Sequence, residues 1–226
     1  MRPARVVALV PAAGQGVRLG AGRPKAFVSL RGRALLWHAV HGLLAAGCVE
    51  QVVVAVGAEH REQAQQVLRD AAQQVRIVTG GAQRSDSVRC ALDAAADADA
   101  VLVHDAARCL APVEMIRAVA GAVLAGRRAV VPVLPVVDTM KQVDEQGQVV
   151  STVDRSALRV VQTPQGFAAD LLRRAHHDSP GPVTDDAGLV ERMGEPVATV
   201  PGHPYAFKIT TAFDLLVAEA LAGRAP

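Results

Sequence analysis

The sequence predicts an α/β fold: a mostly parallel central sheet with helices on both faces, in three layers. Three observations predict it. Short Val-rich apolar runs alternate with amphipathic stretches of helical period. The first run, residues 6–10, breaks at Pro11 into a loop with glycines at 14, 16, 20 and 22. The 226 residues suit one domain with a substantial core, and they contain no internal repeat, low-complexity tail or linker. A single domain over 1–226 is the expectation.

Taken in order, VVALVP is a buried strand, and residues 34–46 place Leu36, Val40, Leu43 and Leu44 on one helical face before Gly47. Residues 51–57 read as a second strand, 59–72 as a polar amphipathic helix and 75–81 as a third strand ending in Gly80-Gly81. Ser85 and Ser87 offer N-caps for a helix running to Ala96. Residues 100–108 are a strand entering a polar loop, 112–125 a helix with Pro112 in its first turn, and 129–137 a fifth strand. The alternation then breaks. Residues 138–161 form two polar-alternating runs around Glu145-Gln146-Gly147, a hairpin with too few large apolar residues to pack on its own body. It is either an arm that pairs with another subunit or a solvated surface hairpin. Helices at about 168–177 and 185–193, strands near 197–200 and 205–209, and a helix over about 211–222 complete the chain.

Composition narrows the function. Half the residues are apolar, six are aromatic and the net charge is +2. That is too little charge for a nucleic-acid or membrane surface, and too few rings for a base-stacking platform. Cys48, Cys90 and Cys109 form no CxxC pair, which fits a reducing compartment and excludes a thiolate zinc site. No apolar run approaches the roughly 20 residues that span a bilayer. The expected location is the cytoplasm. The chain has 21 Arg and only three Lys, at 25, 141 and 208, a bias that would reserve Lys for compact point charges.

The glycine loop is not a Walker loop, because no Gly-Lys-Ser/Thr follows it. As a dinucleotide fingerprint it fails at Leu19, where the third Gly should be, and no acid ends the second strand. What is left is a cradle of backbone amides with two cations, Arg18 and Lys25, suited to a triphosphate whose pyrophosphate departs. Asp105 lies at the C-terminal end of a central strand, where open α/β sheets bind ligands. It is either a Mg²⁺ carboxylate or a loop-start cap. Gly80, Gly81, Ser85 and Ser87 either meet a base edge or cap a helix. The seven histidines contain no HxH or HExxH pair and are read as surface or core residues, with His176-His177 at a polar helix end.

With these pieces placed, the chain resembles the 2-C-methyl-D-erythritol 4-phosphate cytidylyltransferases of the non-mevalonate isoprenoid pathway over nearly its whole length. The motifs are PAAGQGVRLGAGRPK (11–25), GGAQRSDSV (80–88), HDAAR (104–108), DTMK (138–141), TVDR (152–155), QTPQ (162–165), TDD (184–186) and FKIT (207–210). The resemblance implies a three-layer Rossmann-like nucleotidyltransferase fold with a projecting β-hairpin arm. It implies that Ala12, Ala13 and Gly14 line the base and ribose of CTP, that Gly81 and Ser87 complete the cytosine pocket, and that Ala106 lies near the ribose. Asp105 would bind Mg²⁺, and Arg18 and Lys25 would stabilise the transition state. Thr139, Arg155, Thr184 and Lys208 would hold methylerythritol phosphate, with Thr139 and Arg155 serving a partner's site in a homodimer joined by the arms.

The chain departs from the family pattern at Leu19, Ala26-Phe27, Ala82, TDDAG and Phe207, none of which removes a charged role. Two rival functions are another polyol-phosphate cytidylyltransferase, such as one for ribitol 5-phosphate, and a non-catalytic nucleotide-binding regulator. Ala12-Ala13-Gly14 stands where the ribitol group resembles Ala-Gly-Gly, which argues against the first. The regulator would not need two cations, a metal carboxylate and acceptor-phosphate residues together.

Overall fold

The computed structural model describes residues 2–14, 24–178 and 184–223. The chain runs β1 (Val6–Pro11), a 3₁₀ turn (Lys25–Phe27), β2 (Ser29–Leu30), β3 (Arg33–Ala34), α1 (Leu35–Ala45), β4 (Gln51–Val56), α2 (Arg61–Val67), β5 (Val75–Thr79), α3 (Arg84–Ala94) and β6 (Ala100–Val103). It continues through α4 (Val113–Leu124), β7 (Ala129–Pro135), β8 (Met140–Val143), β9 (Val149–Val153), β10 (Arg159–Val161) and β11 (Gln165–Ala168). The last elements are α5 (Ala169–Asp178), α6 (Ala187–Arg192), β12 (Ala198–Pro201) and α7 (Ala212–Ala222).

The main sheet has the order β10-β7-β11-β6-β1-β4-β5, with β12 also paired to β7. Strands β6, β1, β4 and β5 are mutually parallel, and β12 is parallel to β7. Strand β11 runs antiparallel between β6 and β7, and β10 antiparallel beside β7. A parallel strand buried on both faces reads as an unbroken apolar run, and β1 and β4 do so. Their alternate residues supply two cores. Val6, Ala8, Val10, Val52, Val54 and Val56 face α1 and α4, while Val7, Leu9, Val53 and Ala55 face α3, α5 and α6.

Several boundaries differ from the sequence reading. The helix expected over 59–72 is a short α2 with a 3₁₀ turn on each side. Ser85 and Ser87 do not cap α3. Gln83 does, in a reciprocal box with Asp86, and Ser87 lies inside the helix and is buried. No strand forms over 205–209, where a 3₁₀ turn (Pro204–Ala206) leads into irregular chain. Strand β11 is not legible in the sequence, because Gln165, Gly166, Phe167 and Ala168 have neither the length nor the alternation of a strand. Pairing on both sides makes it one.

Residues 138–161 do contain a hairpin. β8 and β9 pair only with each other, and the turn is closed by the Asp144 carboxylate, which accepts from the Gln146 and Gln148 amides at 3.1 and 2.8 Å. Gly147 takes φ +80°, a conformation that glycine adopts without strain.

Candidate active site

The C-terminal ends of β1, β5 and β6 open into a cleft of about 340 Å³. Its floor follows from strand geometry. The Ala12 amide donates to the Ala55 carbonyl at 2.7 Å, so Ala12 and Ala13 leave β1 still tied to β4. Gly80 donates to the Val56 carbonyl at 2.7 Å as β5 ends. A side chain on Gly80 would sit 2.7 Å from Ser87 Oγ and 3.0 Å from Ala13 Cβ, so the two walls meet only over glycine. Ser87 Oγ lies 3.2 Å from the Gln83 carbonyl within the first turn of α3 and 3.4 Å from the Gly81 carbonyl of this wall.

Opposite lies the 3₁₀ turn of Ala106–Arg108 that follows Asp105. The Asp105 amide donates to Thr163 Oγ1 at 3.0 Å, and Thr163 Oγ1 lies 3.1 Å from His104 Nδ1. Burial pushes the His104 imidazole down to about 4, so at neutral pH it adds no charge behind the carboxylate. The Ile209 amide donates to the Ala107 carbonyl at 2.9 Å, and this contact carries Lys208 to the cleft. Lys25 arrives on its own 3₁₀ turn, whose Phe27 is buried and stacks on His60 with ring centroids 5.5 Å apart.

Asp105 is the electrostatic centre. Lys208 Nζ is 2.8 Å from Oδ2, Arg84 Nε is 3.2 Å from Oδ1, and Arg108 Nε is 3.8 Å from Oδ2. Burial opposes ionisation here, but the charges of Arg84 and Lys208 outweigh it and hold the carboxyl well below the usual carboxylate range. Arg84 is likewise desolvated, yet Asp186 and Asp105 hold it charged. The cleft therefore keeps a fixed anion among three cations.

Of the residues singled out in the sequence, Ala12, Ala13, Gly14, Lys25, Gly81, Ser87, Asp105, Ala106 and Lys208 line this cleft. Arg18 lies outside the described residues. Thr139 and Arg155 belong to the exposed arm and Thr184 to an exposed turn, and none of the three lines the cleft. Three contributors were not singled out. Arg84 lines the cleft, and Asp186 and His176 stand behind it. Arg84 and Asp186 were visible inside GGAQRSDSV and TDD, but their partners are 21 and 102 residues from Arg84. His176 gave no signal, because its pairing with Asp186 depends on how α5 docks.

A glycine-walled cleft at the strand ends of a mostly parallel sheet, with a carboxylate among cations, defines a Rossmann-like α/β protein with the kind of site that binds phosphorylated ligands. The family model for 2-C-methyl-D-erythritol 4-phosphate cytidylyltransferase matches residues 6–224. The chain belongs to that family. It is 60% identical over 219 residues to the 2-C-methyl-D-erythritol 4-phosphate cytidylyltransferase of Nocardia farcinica, covering 97% of this chain and 94% of that one. With the enzyme of the same name from Rhodococcus jostii the identity is 57% over 216 residues, covering 96% and 94%. The crystal structure of the Thermus thermophilus enzyme superposes with a TM-score of 0.79 at 39% identity, covering 97% of this chain and 99% of that one.

Proposed function

We propose that this cleft transfers the cytidylyl group of CTP to 2-C-methyl-D-erythritol 4-phosphate, giving 4-diphosphocytidyl-2-C-methyl-D-erythritol and pyrophosphate for isoprenoid precursor synthesis. The observation that carries the reading is the convergence of Lys25, Asp105, Lys208 and the small-residue walls on one cleft.

The acceptor needs no general base, since a phosphate monoester is largely dianionic at neutral pH. One of its oxygens forms a bond to the α-phosphorus of CTP as the bond to the pyrophosphate oxygen breaks. The chain positions the reactants and meets the developing charge. Ala12, Ala13, Gly14, Gly81, Ser87 and Ala106 bind the nucleoside. Lys25, with Arg18, neutralises charge on the phosphates in flight. Lys208 and Thr184 hold the acceptor phosphate, with Thr139 and Arg155 contributed by the arm of a second subunit.

Asp105 fits a Mg²⁺ ligand. It is an ionised oxygen donor at the cleft, and Mg²⁺ on a nucleotide needs only one or two protein oxygens. When bound, the ion would neutralise the triphosphate and the leaving pyrophosphate. Among the described residues no three His, Cys, Asp or Glu side chains gather, so phosphates and water would complete its shell.

Homodimerisation is supported by the arm itself, whose Val149 and Val150 are each 61% exposed. A cytoplasmic location is supported by three free cysteines. Among the described residues no helix is long and apolar enough to cross a membrane. The deciding experiment is Mg²⁺-dependent pyrophosphate release from CTP, run with methylerythritol phosphate and then with ribitol 5-phosphate. Release with the first acceptor alone is expected. Release only with the second assigns the other polyol enzyme, and release with neither leaves a nucleotide-binding regulator.

A further inference from the structure

Three of the four residues of QTPQ (162–165) are buried polar side chains, yet the reaction proposed above gives none of them a role. Gln162 is 2% exposed and Gln165 1%. A buried amide side chain needs a donor for its oxygen and an acceptor for its nitrogen. Each glutamine finds both on a segment that also carries a residue assigned to the acceptor phosphate.

Gln162 Oε1 accepts the His203 amide at 2.9 Å, and Gln162 Nε2 donates to the His203 carbonyl at 2.9 Å. Two bonds to the main chain of one residue repeat the pattern of a rung in an antiparallel ladder. They take over where β12 ends, since Pro201 is its last residue paired with β7. A side chain on Gly202 would collide with Gln162 Oε1. Gln162 is fixed in turn by its own amide, which donates to the Pro132 carbonyl at 2.8 Å. Beyond His203 the chain makes the 3₁₀ turn Pro204–Ala206 and then delivers Lys208 to the cleft.

Gln165 opens β11, paired with Val103 of β6. Its Nε2 donates to Asp185 Oδ2 at 2.6 Å, and its Oε1 accepts the Ala187 amide at 3.2 Å. The turn that carries Thr184 is therefore hung from the middle of the sheet. Between the two glutamines, Thr163 Oγ1 accepts the Asp105 amide. One tetrapeptide thus holds three segments that are far apart in sequence.

We infer that Gln162 and Gln165 are positioning residues for the acceptor phosphate: neither lines the cleft, but the first fixes the segment that delivers Lys208 and the second the turn that bears Thr184. Small displacements of a phosphate-binding group are costly, so the anchoring shell matters as much as the group itself. The inference rests on the reading of Lys208 and Thr184 as acceptor residues.

The test is a double-mutant cycle read in the acceptor KM at saturating CTP, with thermal unfolding alongside. Gln162→Met keeps the length of the side chain and removes both bonds. It should raise the acceptor KM about three- to tenfold, the scale of one or two hydrogen bonds, and leave the CTP KM within about twofold. In a Lys208→Ala background the same substitution should add less than about twofold, because the group it positions is gone. Gln165→Met should behave likewise against Thr184→Val. Equal rises with and without the positioned residue overturn the inference. So does a lower melting temperature with an unchanged acceptor KM, which makes the glutamines merely structural, and so does an equal rise in the CTP KM. If Gln162→Met does not fold, Gln162→Glu keeps the shape and the bond from the His203 amide, and it carries the same cycle with a smaller rise. If Lys208→Ala itself leaves the acceptor KM unchanged, the acceptor-site reading fails and the inference falls with it.

Discussion

The cleft and the arm treat charge and apolar surface in opposite ways. In the cleft, a carboxylate is pinned at both oxygens by Lys208 and Arg84, and Arg84 is pinned again by the buried Asp186. In the arm every residue of β8 is exposed, β9 is exposed except at Val153, and β8 and β9 have no strand partner but each other. Arg155 is spent on the Val137 carbonyl of its own base, and Val143, Val149 and Val150 point to solvent. The cleft is a site that one chain can preorganise. The arm has secondary structure without tertiary burial, and a two-stranded ribbon of that kind is marginal alone in water. The difference teaches that the cleft residues are already brought together within one chain, whereas Thr139 and Arg155 on the arm are not brought to that cleft.

The largest effect that tests this division lies on the cleft side. Lys25→Ala should lower turnover by about 10²-fold or more, the usual cost of one transition-state donor, with little change in CTP affinity. Near-normal turnover would remove Lys25 from the reaction.

The arm side gives the next effect. Arg155→Ala should raise the acceptor KM by about tenfold and leave CTP binding alone, as loss of one charged phosphate contact does. Equal mixing and exchange of Lys25→Ala with Arg155→Ala subunits should then restore part of the activity, because one site of each mixed dimer has both residues. Activity that stays at the level of the separate variants means that Arg155 serves its own chain or none.

A smaller effect concerns assembly. Val149→Ser/Val150→Ser should weaken the dimer in sedimentation while leaving the monomer's melting temperature nearly unchanged, since both side chains are already exposed. Loss of monomer stability instead would mean that the arm packs on its own body.

The smallest effect is on acid stability. Burial works against ionisation of Asp186, but its bond to His176 and the charge of Arg84 win and hold it below the ordinary carboxylate range. A depressed acid stabilises the fold above its unfolded pKa and loses that contribution as pH falls through the folded value. Wild-type stability relative to Asp186→Asn should therefore be constant near neutrality and shrink only below about 3.8. A difference that already shrinks between pH 5 and 7 would mean that another group governs it.

Some of this was written in local residue order. Val-rich runs buried on both faces read as parallel strands because no alternation is needed when helices cover each face, so β1, β4 and β6 were legible. Ala12 to Gly14 and Asp105 were legible as cleft residues because strand ends in such sheets are where ligands bind. The arm was legible as a polar hairpin, but not its role.

The sequence by itself determined the layered fold, the nucleotide-binding edge and, through its motifs, the family. Tertiary structure alone decided what depends on long-range docking. Gln165 to Ala168 became a strand only because β6 and β7 lie on either side of it. His176, read as the end of a polar helix, became the buried partner of Asp186 because α5 packs beside the turn before α6. Arg84, one basic residue among 24, became the strut between two carboxylates that no local pattern links. Periodicity reports which face of an element is buried, whereas the electrostatics of a site depend on which distant side chains that burial brings within 3 Å or so of one another.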